Sequence, residues 1–534
     1  MEKRRKVFVF QLLLLLSFLV LAGRLFQLQV VGGGKNRELA EGNRIKVIKI
    51  PAPRGVIYDR QGRVLARNIP IFNCDREEAL KLEAGGKEVE TGIGREYPYG
   101  EVLAPVIGYL GEAAEGEIAN YQIDKLSNCE LKAGDLVGRT GVEQQYDCLL
   151  RGDDGGELVE VDAVGREVRK IGRKEPVLGK DLTLTVDAVL QKTAYEALGN
   201  KKGAAVVSFP ATGEILTLVS SPSFDANLFE AAKWQSGKVS ELGKILNDPR
   251  QPLFNRAISG VYPPGSTFKL ITAAAGLEEG KIDKNFTIDD PGIIQIGPYR
   301  FGNWYFLSYG KKEGPVDLVK AIQRSTDTFF YKVGELVGIE KLAGWAGKFG
   351  LGKTLGIDLP SEAEGFVPDE AWKKKTKGEP WFLGDTYHLS IGQGDLLVTP
   401  LQMNNWTAAV ANGGKVCQPY LTEVQSSKFK VQNEQCRDLG LKKETIELIT
   451  EGMKKACEPG GTGWPFFNFK IPVACKTGTA EYGDPKGQTH AWFTVFGPAE
   501  KPEIVVTVLV EGGGEGASVA APIAKKILEE WKVW

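Results

Sequence analysis

The chain has 534 residues, 25% of them charged and 42% hydrophobic, with a formal net charge of −1. That length exceeds a single hydrophobic core and calls for two or more domains, while the balanced charge leaves no electrostatic footprint for nucleic acid. Two histidines, His388 and His490, supply little material for histidine-based metal or acid–base sites, and a nucleotide enzyme is not expected.

In chain order, the first element is an apolar helix. Lys3, Arg4, Arg5 and Lys6 precede a run that starts at Val7, is uncharged to Gly23 and continues to Val31 with only Arg24 inside it. About twenty apolar residues span a bilayer, and an arginine near the end can reach back to the interface. A cleaved secretory signal has the same basic start and apolar middle. No small-x-small site follows, however, and residues 23–31 stay apolar. An uncleaved transmembrane anchor over 7–31 is expected, with a cytoplasmic stub at 1–6 and the rest of the chain outside the cytoplasm. Seven cysteines (Cys74, Cys129, Cys148, Cys417, Cys436, Cys457 and Cys475) then lie where disulfides form. Their spacings match no zinc pattern, and an odd number leaves one thiol without an intramolecular partner.

Residues 36–180 read as short strands and turns. "RIKVIKIPAPRGVIYDRQGRVLARN" alternates with period two and then turns at "DRQGR"; later, two strand-like runs flank "DAVG". No acid–base cluster stands out there, which fits a spacer or docking module. From residue 181 the texture changes. "DLTLTVDAVLQKTAYEALG" passes from strand to helix at Asp187, a plausible N-cap, and "KGAAVVSFPATGEILTLVSSPSFD" is strand, Thr-Gly turn and strand. Near the C-terminus, "HAWFTVFG" and "EIVVTVLVEGG" read as a strand pair and "SVAAPIAKKILEEW" as a closing helix. Strands at both ends with helices between predict a mixed α/β domain over 181–534.

Chemistry concentrates in three places within that domain. Ser-x-x-Lys occurs at Ser266, Ser308 and Ser427, the last two in polar, turn-like stretches. Only "STFKLITAAAGLEEG" starts at a turn and continues as a helix that is apolar nearly all round, the mark of a buried helix. Lys269, at i+3, faces the same way as Ser266; burial lowers a lysine pKa and frees the amine to act as a base. A weak nucleophile beside an activated base is the requirement for acyl transfer. Taken alone, the segment fits equally well an N-cap serine with an outward-reaching lysine. The other two places are "RSTDTFFYKVG", which puts Ser325 and Asp327 at the head of another helix, and "CKTGTAEYG", with the single Lys476-Thr477-Gly478-Thr479 of the chain. Gly478 would let a substrate backbone lie close to a strand, while Lys476 and the threonine hydroxyls suit a carboxylate.

Ser-x-x-Lys, a Ser-x-Asn-like motif and Lys-Thr-Gly in this order form the motif set of penicillin-binding proteins and class A β-lactamases. The chain resembles the class B penicillin-binding proteins over nearly its whole length, through "APRGVIYDRQGRVLA", "GRTGVEQQYD", "VDAVGREVR", "FNRAISGVYPPGSTFK", "LSIGQGDLLVTPLQM" and "CKTGTA". An aspartate as third residue of the middle motif, followed by "TFFY", is similar to the elongation-type penicillin-binding protein 2. The resemblance implies a single membrane anchor in the bacterial inner membrane, a β-rich pedestal (dimerisation-type) domain and an extracytoplasmic transpeptidase domain with an antiparallel sheet. It also implies a peptidoglycan DD-transpeptidase that cross-links stem peptides at D-Ala-D-Ala in cell-wall elongation and is inhibited by β-lactams. Ser266 would attack the D-Ala-D-Ala carbonyl and Lys269 would take its proton. Ser325, between both lysines, would relay a proton to the leaving D-alanine. The N–H groups of Ser266 and Thr479 would form the oxyanion hole, and Lys476, Thr477 and Thr479 would hold the terminal carboxylate. Asp327 would stand at a substrate amide, where an ionised carboxylate can only accept. No cofactor is implied. Some relatives of this type carry a zinc site of Asp, His and Cys before the middle motif; residues 271–328 keep Asp290 but contain neither Cys nor His, so no metal is expected. By the same resemblance the partner would be a SEDS-type glycosyltransferase within an elongation complex. The rival readings are a scaffold or activator of that glycosyltransferase with little catalysis, and a serine β-lactamase. The second is disfavoured by the anchor and by the missing class A Glu-x-x-Leu-Asn motif.

Overall fold

The computed structural model describes residues 2–34, 44–72, 91–114, 131, 134–162, 164–234, 236–422, 436–483 and 487–531. The helix Glu2–Phe26 runs on into a π-turn at Gln27–Val31 and is exposed along its apolar length. Among the described residues it is the one helix long and apolar enough to cross a membrane.

Internal contacts divide the chain into two compact units, Met1–Gly55 with Arg151–Lys180, and Val56–Leu150 with Asp181–Trp534. The division differs from the sequence boundary at 180, because residues 56–150 share their contacts with the C-terminal part. The first unit is built on a three-stranded antiparallel sheet of Ile45–Ile50, Gly155–Val161 and Glu167–Lys174, with Gly155–Val161 in the middle. The expected strands around "DAVG" are its second and third. Asp162 closes their turn by accepting from the N–H groups of Val164 and Arg166. The same device makes the "DRQGR" hairpin of the second unit, where the buried Asp59 accepts from the N–H groups of Gln61 and Arg63.

The second unit centres on a five-stranded antiparallel sheet. Its order is Ile215–Ser221, Gly203–Ser208, Ile504–Val510, Thr489–Gly497 and Ala474–Glu481. Apart from the edge strand Ala474–Glu481, its strands are buried on both faces, which is why they read as near-continuous apolar runs. One face carries Phe493, Val495, Val506 and Val508 against the helices Ala188–Leu198 and Gly516–Glu530. On the other, Trp492, Phe496, Val505 and Leu509 join a larger core with the helices Lys269–Glu278, Asp327–Val337 and Pro400–Ala411. Asp187 caps its helix as expected, accepting from the N–H groups of Val189 and Leu190. The strand carrying Lys476 is the last in the sheet, so one of its edges stays unpaired.

Two disulfides, Cys417–Cys436 and Cys457–Cys475, supply the connectivity that spacing left open. Cys148 is also disulfide-bonded, while Cys74 and Cys129 lie outside the described residues. Cys475 directly precedes Lys476, so the second bridge ties that strand to the end of the helix Lys443–Ala456.

Candidate active site

The turn around Ser266 is pinned at both ends. Gly265 has φ +56°, and a Cβ on it would lie 2.8 Å from the Thr479 carbonyl oxygen, so glycine alone lets the turn rest on the strand Ala474–Glu481. The Gly265 N–H donates to the Gly392 carbonyl at 2.8 Å, and Thr267 Oγ1 donates to the Pro264 carbonyl at 2.8 Å. Gly265–Phe268 is a 3₁₀ turn, and the α-helix begins at Lys269 rather than at Ser266. In 3₁₀ winding residues i and i+3 eclipse, so Lys269 lies over Ser266 more directly than α-helical spacing would place it. Ser266 keeps partial exposure while Lys269 is fully buried. The expected buried helix is present, and its lysine points inward rather than to solvent.

Lys269 Nζ donates to Asp327 Oδ1 at 2.6 Å, to the Ser325 carbonyl at 2.9 Å and to Ser325 Oγ at 3.3 Å. Three bonds use all three donors of an ammonium. Lys476, also fully buried, donates to the same Ser325 Oγ at 2.9 Å and to the Thr477 carbonyl at 2.9 Å. Ser325 therefore bridges the two lysines. Its backbone sits in the left-handed region (φ 56°, ψ 41°) as it closes the helix Leu318–Arg324, a conformation that costs a non-glycine residue roughly 1 kcal/mol or more.

The cluster holds two lysines and one carboxylate, so both amines cannot comfortably stay charged. Burial pulls the Lys269 amine below the usual lysine range, while the charge and hydrogen bond of Asp327 pull it back up. Lys476 is pushed well below that range, by burial first and then by the Lys269 charge, with Asp327 opposing. The direct bond to Asp327 makes Lys269 the better-held cation of the two. The second oxygen of Asp327, Oδ2, accepts from the Trp304 N–H at 2.9 Å. Both of its carboxylate oxygens thus bond protein donors, a lysine and a backbone amide.

In the Lys-Thr-Gly strand, Thr477 is buried and its hydroxyl donates to Thr462 Oγ1 at 2.9 Å, whereas Thr479 is exposed. A Cβ on Gly478 would meet Thr267 Cγ2 at 3.0 Å, Trp492 Cβ at 3.0 Å and the Pro264 carbonyl at 3.1 Å. Close packing of the Ser266 turn on the strand is therefore what this glycine permits, beyond the substrate approach expected of it. Sequence reasoning missed Asn303, Trp304 and Thr462, because no motif or spacing marks a residue that joins the cluster only through the fold; Gly392 lies in the quoted segment "LSIGQGDLLVTPLQM" but was given no role there.

The remaining candidates lie apart from this cluster. Ser308 is exposed in the short helix Trp304–Tyr309, and Ser427 is outside the described residues. His388 packs edge-on against Phe301 at 5.4 Å between ring centres, and His490 stacks on Tyr482 at 4.0 Å with its pKa pushed down to about 4 by burial. Residues 347–354, GKFGLGKT, do have the spacing of a phosphate-binding loop. They begin in the last turn of the helix Ile339–Lys348 instead of after a strand, and no helix starts at Lys353, so the amide cradle of such a loop is not built.

Comparison with known proteins agrees with this geometry. Residues 203–529 match the penicillin binding protein transpeptidase domain, and residues 76–184 the penicillin-binding protein dimerisation domain. The peptidoglycan D,D-transpeptidase MrdA of Acinetobacter baumannii is 34% identical over 99% of this chain and 87% of its own. Penicillin-binding protein 2 of Helicobacter pylori, solved in complex with MreC, superposes with a TM-score of 0.76 at 29% identity, covering 92% of this chain and 99% of that one. A chain from a peptidoglycan synthase complex that coordinates polymerization and crosslinking superposes with a TM-score of 0.78 at 29% identity, over 99% of both chains. With a buried Ser-x-x-Lys turn seated on a Lys-Thr-Gly edge strand, and these matches along almost its full length, the chain belongs to the penicillin-binding protein transpeptidases, the D,D-transpeptidases of peptidoglycan.

Proposed function

We propose that Lys269, Ser325 and Lys476 form the proton relay of this transpeptidase and that Ser266 is its acyl nucleophile. The observation that carries the reading is the unbroken chain of buried hydrogen bonds from Lys269 through Ser325 Oγ to Lys476. Ser266 Oγ attacks the carbonyl of the D-Ala-D-Ala bond, and its proton passes to Lys269. Lys269 accepts it once its own proton has moved through Ser325 to the less charged Lys476. The same chain run in reverse protonates the departing D-alanine amine. The N–H groups of Ser266 and Thr479 take the oxyanion, an interaction worth about 3 kcal/mol per donor in comparable sites. The free edge of the strand Ala474–Glu481 receives the substrate backbone as an added strand, with Lys476, Thr477, Gly478 and Thr479 beside the terminal carboxylate. Attack by the amine of a second stem peptide on the acyl-serine then forms the cross-link. Asp327 acts on Lys269, raising its proton affinity.

The remaining parts follow the same reading. The stub at 1–6 and the anchor at 7–31 hold the chain in the bacterial cytoplasmic membrane, with the pedestal (36–180) and transpeptidase domain (181–534) outside. The relatives in complex with MreC and in a peptidoglycan synthase complex support work in wall elongation beside a SEDS-type glycosyltransferase. Covalent labelling with a fluorescent penicillin tests the catalytic core of this reading. Stable label on the membrane-extracted protein, absent from Ser266→Ala, is expected. Failure of a folded wild type to label would overturn the nucleophile assignment, and label that turns over within seconds would indicate a β-lactamase.

A further inference from the structure

The Ser325-Thr326-Asp327 turn has no cap of its own. Thr326 stands at the N-cap position of the helix Asp327–Val337 without a side-chain cap bond, and its buried hydroxyl has no partner. Helix starts leave their first N–H groups unsatisfied; here the Asp327 N–H donates to Asn303 Oδ1 at 3.2 Å, from outside the helix. Asn303 is fully buried and is aimed by a second bond, its Nδ2 donating to Asp290 Oδ2 at 3.0 Å. Thr328, on the other side of Asp327, donates its hydroxyl to Asp290 Oδ1 at 2.7 Å. The N–H groups of Gly292 (2.9 Å) and Glu313 (3.0 Å) complete the set.

We propose that Asp290 is a positioning residue for the relay: a metal-free hydrogen-bond hub that clamps Asp327 from both sides, through Asn303 and Thr328, and so delivers its carboxylate to Lys269. The inference rests on the proposed roles of Lys269 and Asp327. Asp290 touches neither lysine and no reacting atom. Asn303 is the joint, because once its Oδ1 is turned to the Asp327 N–H, the next residue, Trp304, presents its own N–H to Asp327 Oδ2. Burial pushes the Asp290 carboxyl up, but the four hydrogen bonds outweigh it and hold the group below the usual carboxylate range. An ionised hub is what four donors require.

The zinc that related proteins carry near this position does not fit here. Two N–H groups, one amide NH₂ and one hydroxyl fill the acceptor positions of Asp290, whereas a cation needs lone pairs from its neighbours. Among the described residues no group of three His, Cys, Asp or Glu side chains is placed to hold a metal.

The test compares wild type, Asp290→Asn and Thr328→Val as full-length, detergent-extracted protein. Three readouts are taken: thermal midpoint, zinc content by elemental analysis, and penicillin acylation rate against pH with binding and acylation separated. The titratable groups acting on Lys269 are Asp327 and Lys476; Asp327 also acts on Tyr331. Zinc-free wild type, indifferent to chelator, is expected. Asp290→Asn is expected to keep the initial penicillin affinity, lose about tenfold in acylation rate, and move the acid limb of its profile to lower pH as Lys269 loses the grip of Asp327. Thr328→Val, which removes one bond at nearly constant shape, moves the limb the same way by less, and it carries the test should Asp290→Asn fail to fold. Stoichiometric zinc in wild type overturns the proposal. So do variants whose thermal midpoint falls while the acid limb stays in place, since that outcome marks a purely structural carboxylate. Both results are distinct from the loss of labelling in wild type that would overturn the catalytic reading itself.

Discussion

The turn that carries Ser266 leads directly into Lys269, the lysine that the turn carrying Ser325 grips, yet the two turns are held by different means. Residues 265–268 combine local devices, a glycine at positive φ, a 3₁₀ repeat and a Thr267 hydroxyl on the Pro264 carbonyl, with one distant backbone bond from Gly265 to Gly392. Residues 325–327 have local backbone bonds to Ile322 and Ala321, but their side-chain partners come from afar, Asn303 and Trp304 some twenty residues upstream and Asp290 beyond them. The first turn also rests on the strand Ala474–Glu481, while the second stands against the loop that precedes it. The proposed nucleophile must not shift relative to the oxyanion donors, and a turn fixed by close backbone contacts meets that demand. The proposed relay residue must instead match the charge state of two lysines, and distant side-chain partners can tune it without touching the nucleophile.

Four substitutions break or sharpen this contrast, from the largest expected effect to the smallest. Lys269→Met removes the residue on which both turns converge, and penicillin acylation measured by stopped flow should fall by about a hundredfold to ten-thousandfold. Gly265→Ala attacks the local turn alone. Its Cβ meets the Thr479 carbonyl at 2.8 Å in a conformation alanine disfavours, and a stability loss of about 1–3 kcal/mol is expected in denaturant melts, with slowed acylation. Asp327→Asn attacks the distant turn alone. Loss of the charge that raises Lys269 lets burial lower its pKa further, so the neutral amine persists to lower pH and the acid limb of the acylation profile moves down. An unmoved or upward-moving limb would remove Asp327 from the account of Lys269. Thr267→Val removes one hydrogen bond inside the local turn and should cost about 1 kcal/mol, leaving the pH profile as in wild type.

The Cys457–Cys475 bridge adds a third kind of restraint, covalent and placed one residue before Lys476. Replacing both cysteines by serine should lower stability by about 3 kcal/mol for a loop of this length, read as a shift in denaturant midpoint with Lys476 chemistry otherwise retained.

Much of the site was legible before folding because its signals are local. The turn, the buried helix, the Ser-x-x-Lys spacing and the Lys-Thr-Gly strand each lie within a dozen residues, and the period of the apolar pattern places them on their elements. Asp327 shows where legibility stopped. Its spacing to Ser325 was plain, but its partner is a lysine 58 positions away, brought to it at 2.6 Å. Gly478 was read as room for substrate; what the sequence did not show is that a Cβ there would also meet Thr267 and Pro264 of the Ser266 turn. The grouping of residues 56–150 with the C-terminal unit had no signal in composition, because strand-and-turn texture looks alike on either side of such a boundary.

Alone, then, the sequence pointed to the apolar N-terminal helix, the strands and buried helix of the C-terminal domain, and the four groups proposed to do the chemistry. These follow from hydropathy, periodicity and residue type, all of which act over short stretches of chain. The tertiary structure decided which lysine holds the carboxylate, which glycines admit close packing, which cysteines pair, and that Asp290 ends in a ring of donors. Those outcomes depend on burial and on hydrogen-bond partners drawn from distant segments, where a few tenths of an ångström and the loss of water set the charge of each group.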